Sequence, residues 1–106
     1  MYEYGLRYSP QYEDDLDHVM NYVTYKLKNP DAAKALYYAF DRAIMERLPF
    51  AESFEPYHSR KDRENVYYRI YVGSYIIYYV VCMVEGKKTM EIRRLANERQ
   101  DREKMV

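Results

Sequence analysis

From Val66 to Val84 the chain reads VYYRIYVGSYIIYYVVCMV, two runs of β-branched and aromatic residues on either side of Gly73-Ser74. A two-residue connection of that composition suits a II′ turn, so the stretch predicts a β-hairpin. In the first arm Val66, Tyr68, Ile70 and Val72 fall on one face, and Tyr67, Arg69 and Tyr71 on the other. The second arm is apolar or aromatic at nearly every position, the pattern of a strand covered on both sides. After a turn at Glu85-Gly86-Lys87-Lys88, residues 89–95 alternate again, with Met90 and Ile92 on one face and Glu91 and Arg93 on the other. That predicts a three-strand antiparallel meander.

The first half of the chain changes period. Tyr2, Tyr4, Leu6 and Tyr8 alternate with polar residues, the pattern of an edge strand whose weak point is Gly5. Ser9-Pro10 then reads as N-cap and first helical residue, with Glu13, Asp14 and Asp15 near the positive helix end. Tyr12, Leu16, Val19, Met20, Val23 and Leu27 follow at helical spacing and predict a helix over about 10–28. Asn29-Pro30-Asp31 ends it and starts a second over about 30–48, whose stripe is Ala33, Leu36, Tyr37, Phe40, Ala43, Ile44 and Leu48. Pro49 stops that helix, and residues 50–65 form a long polar connection. The tail from Asn97 is highly charged and reads as a short helix or a frayed end.

The order is therefore β-α-α-β-β-β, an α+β fold with an antiparallel sheet and a helical hairpin packed on one face. Helices that occur only between strands one and two leave the other face to solvent or a partner. Its Tyr and Arg residues are the candidate functional surface.

Length and composition narrow the class. A chain of 106 residues forms one domain, covering 1–106, and needs no disulfide or metal to be stable. The single cysteine, Cys82, lies in the most apolar run and reads as a small core residue rather than a nucleophile. His18 and His58 share no metal-binding spacing, and no Gly-rich phosphate loop or Ser/His/Asp set is present, so neither metal nor cofactor is expected. No apolar leader or membrane-spanning stretch is seen, which leads to the expectation of a soluble, cytoplasmic protein. The zero net charge conceals an asymmetry: residues 1–59 carry 6 Lys/Arg against 10 Asp/Glu, and residues 60–106 carry 11 against 7. The sheet half is thus basic enough to steer an anionic partner.

Four pieces in order, YSPQYEDDLDHVMNYV, NPDAAKAL, YRIYVGSYIIYYVV and IRRLANERQD, resemble the RelE/ParE superfamily of type II toxin–antitoxin toxins nearly end to end. The resemblance implies a small growth-inhibiting, plasmid-stabilising toxin. Its silencer would be a cognate antitoxin whose C-terminal segment wraps it as helix and strand. RelE-like members cleave mRNA on the ribosome, whereas ParE-like members poison DNA gyrase and have no known nuclease chemistry. Cleavage needs an activated 2′-hydroxyl and cations to stabilise the pentacovalent phosphate. The motif positions carried over for that role are Arg69, Arg94 and Arg99, with Lys61 or Arg63 from the preceding loop. For target or antitoxin binding the candidates are Tyr67, Arg69, Tyr71, Arg93, Arg94, Asn97 and Arg99.

Two departures favour the binding mode. Nucleases resembling GYRLVY have an Arg after the strand tyrosine, where this chain has Ile76 after Tyr75. The related terminal motif has His before Gly-Arg-Gln-Asp, where this chain has Asn97, and an amide is no acid or base near neutral pH. The expectation is therefore a ParE-like toxin acting on DNA gyrase. One alternative is a metal-independent mRNA endonuclease using ribosome and mRNA. Another is an inactive toxin fold that only binds antitoxin. A homodimer stays open in each. For Arg69, stacking on Tyr67 and Tyr71 is the structural alternative to a functional role, and one of Arg93 and Arg94 is expected to pair with a helix carboxylate.

Overall fold

The computed structural model describes residues 3–58 and 64–99. Strand β1 (Gly5–Tyr8) leads into helix α1 (Pro10–Asn21), a π-helical turn (Tyr22–Lys26) and helix α2 (Pro30–Arg47), which ends in a 3-10 turn (Leu48–Phe50). Strands β2 (Tyr67–Val72), β3 (Tyr75–Val84) and β4 (Lys87–Asn97) complete the chain. Both helix starts are built as the sequence predicts. Ser9 Oγ accepts from the Tyr12 amide at 3.1 Å, and Asn29 Oδ1 accepts from the Ala32 amide at 3.1 Å, each with proline at the first helical position.

The first helix differs from its predicted form at its far end. The Leu27 amide donates to the Tyr22 carbonyl at 3.0 Å, five residues back, so the last turn is one residue wider than an α-turn. That extra residue shifts the helical phase of the positions beyond it. Val23 stays buried, while Leu27, expected on the apolar stripe, is 55% exposed.

The sheet order is β1-β4-β3-β2. The meander is antiparallel as predicted, but β1 runs parallel to β4, pairing Gly5 with Thr89 and Tyr8 with Ile92, so the sheet is mixed rather than wholly antiparallel. The opposite edge is taken by the chain itself. There Tyr57 exchanges two backbone bonds with Tyr67, at 2.6 and 3.3 Å, and Arg47 donates to the Arg69 carbonyl at 3.1 Å. The first strand docks on the β4 edge.

The main core lies between sheet and helical hairpin. Tyr12, Phe40 and Ile44 from the helices meet Ile70, Ile77, Tyr79, Met90, Ile92 and Leu95 from the strands, with Ala51 from the loop. Each large side chain fully buried there contributes about 1.5–3 kcal/mol. The outward face is not the open surface expected. Tyr67, Ile76, Tyr78, Val80 and Ala96 form a second buried cluster on it, with Tyr57 packed alongside, its ring 5.8 Å from that of Tyr78. Period-two reading of β3 as apolar on both sides anticipated this cover. Reading helices only between strands one and two did not.

Candidate functional site

The ladder between β3 and β4 shifts register at Tyr78/Tyr79: Tyr78 opposes Arg94, and Tyr79 opposes Ile92. Arg93 is the additional residue of a β-bulge, and bulges re-aim side chains. Strict alternation would send Arg93 and Arg94 to opposite faces. Instead both line one hollow of about 620 Å³, together with Arg7, Tyr8, Ser9, Pro10, Gln11, Tyr67 and Glu91.

Each arginine is engaged. Arg94 donates to both oxygens of Asp15 on α1, at 2.8 and 3.1 Å, and Asp15 also accepts from the Leu95 amide at 3.0 Å. This is the helix carboxylate expected for one of the pair. Arg93 donates to Glu91 through Nε and to the Tyr67 hydroxyl at 3.3 Å, and Arg7 donates to the other oxygen of Glu91. Burial opposes ionisation of Glu91, but the hydrogen bonds and charge of Arg93 and Arg7 outweigh it and hold its carboxyl below the usual carboxylate range. Ser9 joins the helix start to the bulge: its amide donates to the Ile92 carbonyl at 2.9 Å and its Oγ to the Arg93 carbonyl at 2.8 Å.

The remaining candidates lie elsewhere. Arg69 sits over the rings of Tyr57, at 4.6 Å, and Tyr71, at 5.7 Å, so the stacking alternative describes it, with Tyr57 in place of the expected Tyr67. Tyr71 is 56% exposed. Asn97 Oδ1 accepts from the Arg99 amide at 3.0 Å, closing the turn at the end of β4, and Arg99 is exposed. The nine-membered lining of the hollow thus takes Tyr67, Arg93 and Arg94 from the predicted set and leaves Arg69, Tyr71, Asn97 and Arg99 outside it. Lys61 and Arg63 lie outside the described residues.

Three participants escaped the sequence reading. Arg7 and Glu91 meet only because β1 runs parallel to β4 and sets them opposite one another. Arg47 was hidden at the end of a helix. Its guanidinium lies 3.5 Å from the centre of the Phe54 ring and donates to the Tyr79 hydroxyl at 2.9 Å, while that hydroxyl donates to the Ala51 carbonyl at 2.8 Å. This knot fastens the loop after α2 to the sheet. A smaller groove of about 170 Å³ opens between the helices, lined by Tyr8, Tyr12, Glu13, Leu16, Tyr37, Asp41 and Ile44.

Among the described residues no three His, Cys, Asp or Glu side chains are grouped to hold a metal ion, and no helix is long and apolar enough to cross a membrane. A helical hairpin inserted between the first and second strands of a four-stranded sheet, with arginines at the bulge of the last strand, agrees with the RelE/ParE resemblance of the sequence. The family profile described as the ParE toxin of the type II toxin-antitoxin system, parDE, matches residues 6–102, and the chain belongs to that family. It is a toxin-family protein, and membership implies an antitoxin partner. No curated protein sequence matches the chain.

Proposed function

We propose that this protein is a bacterial growth inhibitor that acts in the cytoplasm by binding DNA gyrase, and that its cognate antitoxin neutralises it. The observation carrying this reading is the state of Arg94. A cation that must stabilise charge developing on a pentacovalent phosphate is most effective when its donors are aimed at that charge and not already paired. Arg94 is instead held by both oxygens of Asp15. The position where nuclease relatives have an arginine is Ile76, 1% exposed in the second core cluster. Asn97, in place of the histidine, serves as a backbone acceptor at a turn.

Arg69 favours a second reading. Among the described residues it has no carboxylate partner, so it keeps its charge available for an RNA phosphate, as ribosome-dependent cleavage would require. Induction of the toxin in a bacterial host, with and without its antitoxin gene, separates the two. Accumulating DNA breaks with unchanged mRNA 5′ ends are expected. New mRNA 5′ ends without DNA breaks would reverse the assignment.

A further inference from the structure

We propose that the hollow between the start of α1 and the bulge of β4 binds the phosphate group of a nucleotide-sized ligand. Its volume, about 620 Å³, falls in the range of about 300–1,000 Å³ common for small-molecule sites. Among the described residues, three guanidinium groups line it against one carboxylate, Glu91. Even when Asp15, which holds Arg94, is counted, the described residues carry a positive excess.

That excess is concentrated on Arg7. Its side chain is half exposed, and only its Nε is engaged, on Glu91. Among the described residues its two terminal nitrogens have no partner, and they form the planar fork that matches phosphate geometry. Across the hollow, Tyr67 brings a hydroxyl and Tyr8 a ring that is 38% exposed and stacked on Tyr12 at 5.6 Å. The first residues of α1 add the positive end of the helix dipole to the same wall. A carboxylate is the weaker candidate, because it offers the guanidinium groups only one negative charge and two acceptor oxygens. A phosphate spreads more negative charge over more acceptor oxygens and can engage Arg7 and Arg93 together.

The same residues also permit a purely structural role, in which Arg7, Glu91 and Arg93 tie β1 to β4 and bind nothing. The two roles predict different outcomes for one substitution. Glu91→Gln removes the internal anion that competes for both arginines. A binding site then tightens, whereas a structural cluster shows no ligand response. The inference does not depend on which target the toxin attacks.

The test uses the full-length toxin, with inorganic pyrophosphate as probe and succinate as carboxylate control at constant ionic strength. The readout is the NMR shift of the side-chain Nε–H groups of Arg7 and Arg93. Saturable shifts with pyrophosphate and none with succinate are expected. Arg7→Gln, on an exposed edge-strand position, should weaken binding at least about tenfold, and Glu91→Gln should strengthen it. Absence of saturation would overturn the proposal, as would equal response to succinate or pyrophosphate affinity unchanged by Arg7→Gln. If Glu91→Gln does not fold, the Arg7→Gln comparison decides alone.

Discussion

Glu91 is the residue whose setting has the sharpest consequence for stability. It is 8% exposed and receives a guanidinium from each of two strands. Its carboxyl titrates below its ordinary value of 4.5 in the folded protein, so the unfolded chain binds the proton more readily. The stabilisation is therefore complete above about pH 4.5 and is lost as pH falls through the lower folded value. Thermal unfolding should show Glu91→Gln less stable than wild type near neutrality, with the gap closing as the solution is acidified below that point. A constant gap would mean that Glu91 acts through packing alone. Lys28 offers a second residue-scale check. Its φ of 52° lies in the left-handed region, at the position after the widened turn where glycine is usual. Lys28→Gly should stabilise by about 0.5–1 kcal/mol and raise Tm by a few degrees.

At the scale of elements, the parallel contact of β1 with β4 is the joint on which the hollow depends. Gly5 lies opposite Thr89, and a Cβ on Gly5 would come within 2.9 Å of Thr89 Oγ1. That hydroxyl donates to the Lys87 carbonyl at 3.1 Å and cannot rotate away without losing the bond. Gly5→Ala should cost about 1–2 kcal/mol. Made on a Thr89→Ala background it should cost about 1 kcal/mol less, a coupling that a denaturant double-mutant cycle measures. The elements themselves were largely legible in the sequence, because their signals are local. Ser9-Pro10 and Asn29-Pro30 start the helices, and Gly73, with φ 57°, turns the central hairpin. The β1 direction was not legible. It rests on the pairing of Gly5–Tyr8 with Thr89–Ile92, a contact between distant residues that no period along the chain encodes. The bulge at Arg93 was hidden for a related reason. Alternation along β4 looks regular until its register against β3 is known, and the shift at Tyr78/Tyr79 lets Arg93 and Arg94 line the same hollow.

For the whole molecule, the charge asymmetry of the sequence resolves into a helical half that is acidic and a sheet half that is basic. Of the four candidate arginines, Arg94 holds the sheet to a helix and Arg93 is held by Glu91, which also binds Arg7 of the neighbouring strand. Asp15 fixes Arg94 and Glu91 fixes Arg93, while Arg69 lies over two tyrosine rings with no carboxylate partner among the described residues. The proposed binding of a protein target, rather than turnover of an RNA one, rests on this arrangement. The most direct measurement sets purified toxin against both targets in parallel, DNA gyrase with supercoiled plasmid and programmed ribosomes with mRNA. The account predicts that gyrase activity falls and cleaved DNA accumulates, that added antitoxin reverses both, and that mRNA stays intact. Ribosome-dependent cuts in mRNA by the wild-type toxin, abolished by Arg69→Ala with gyrase unaffected, would contradict it.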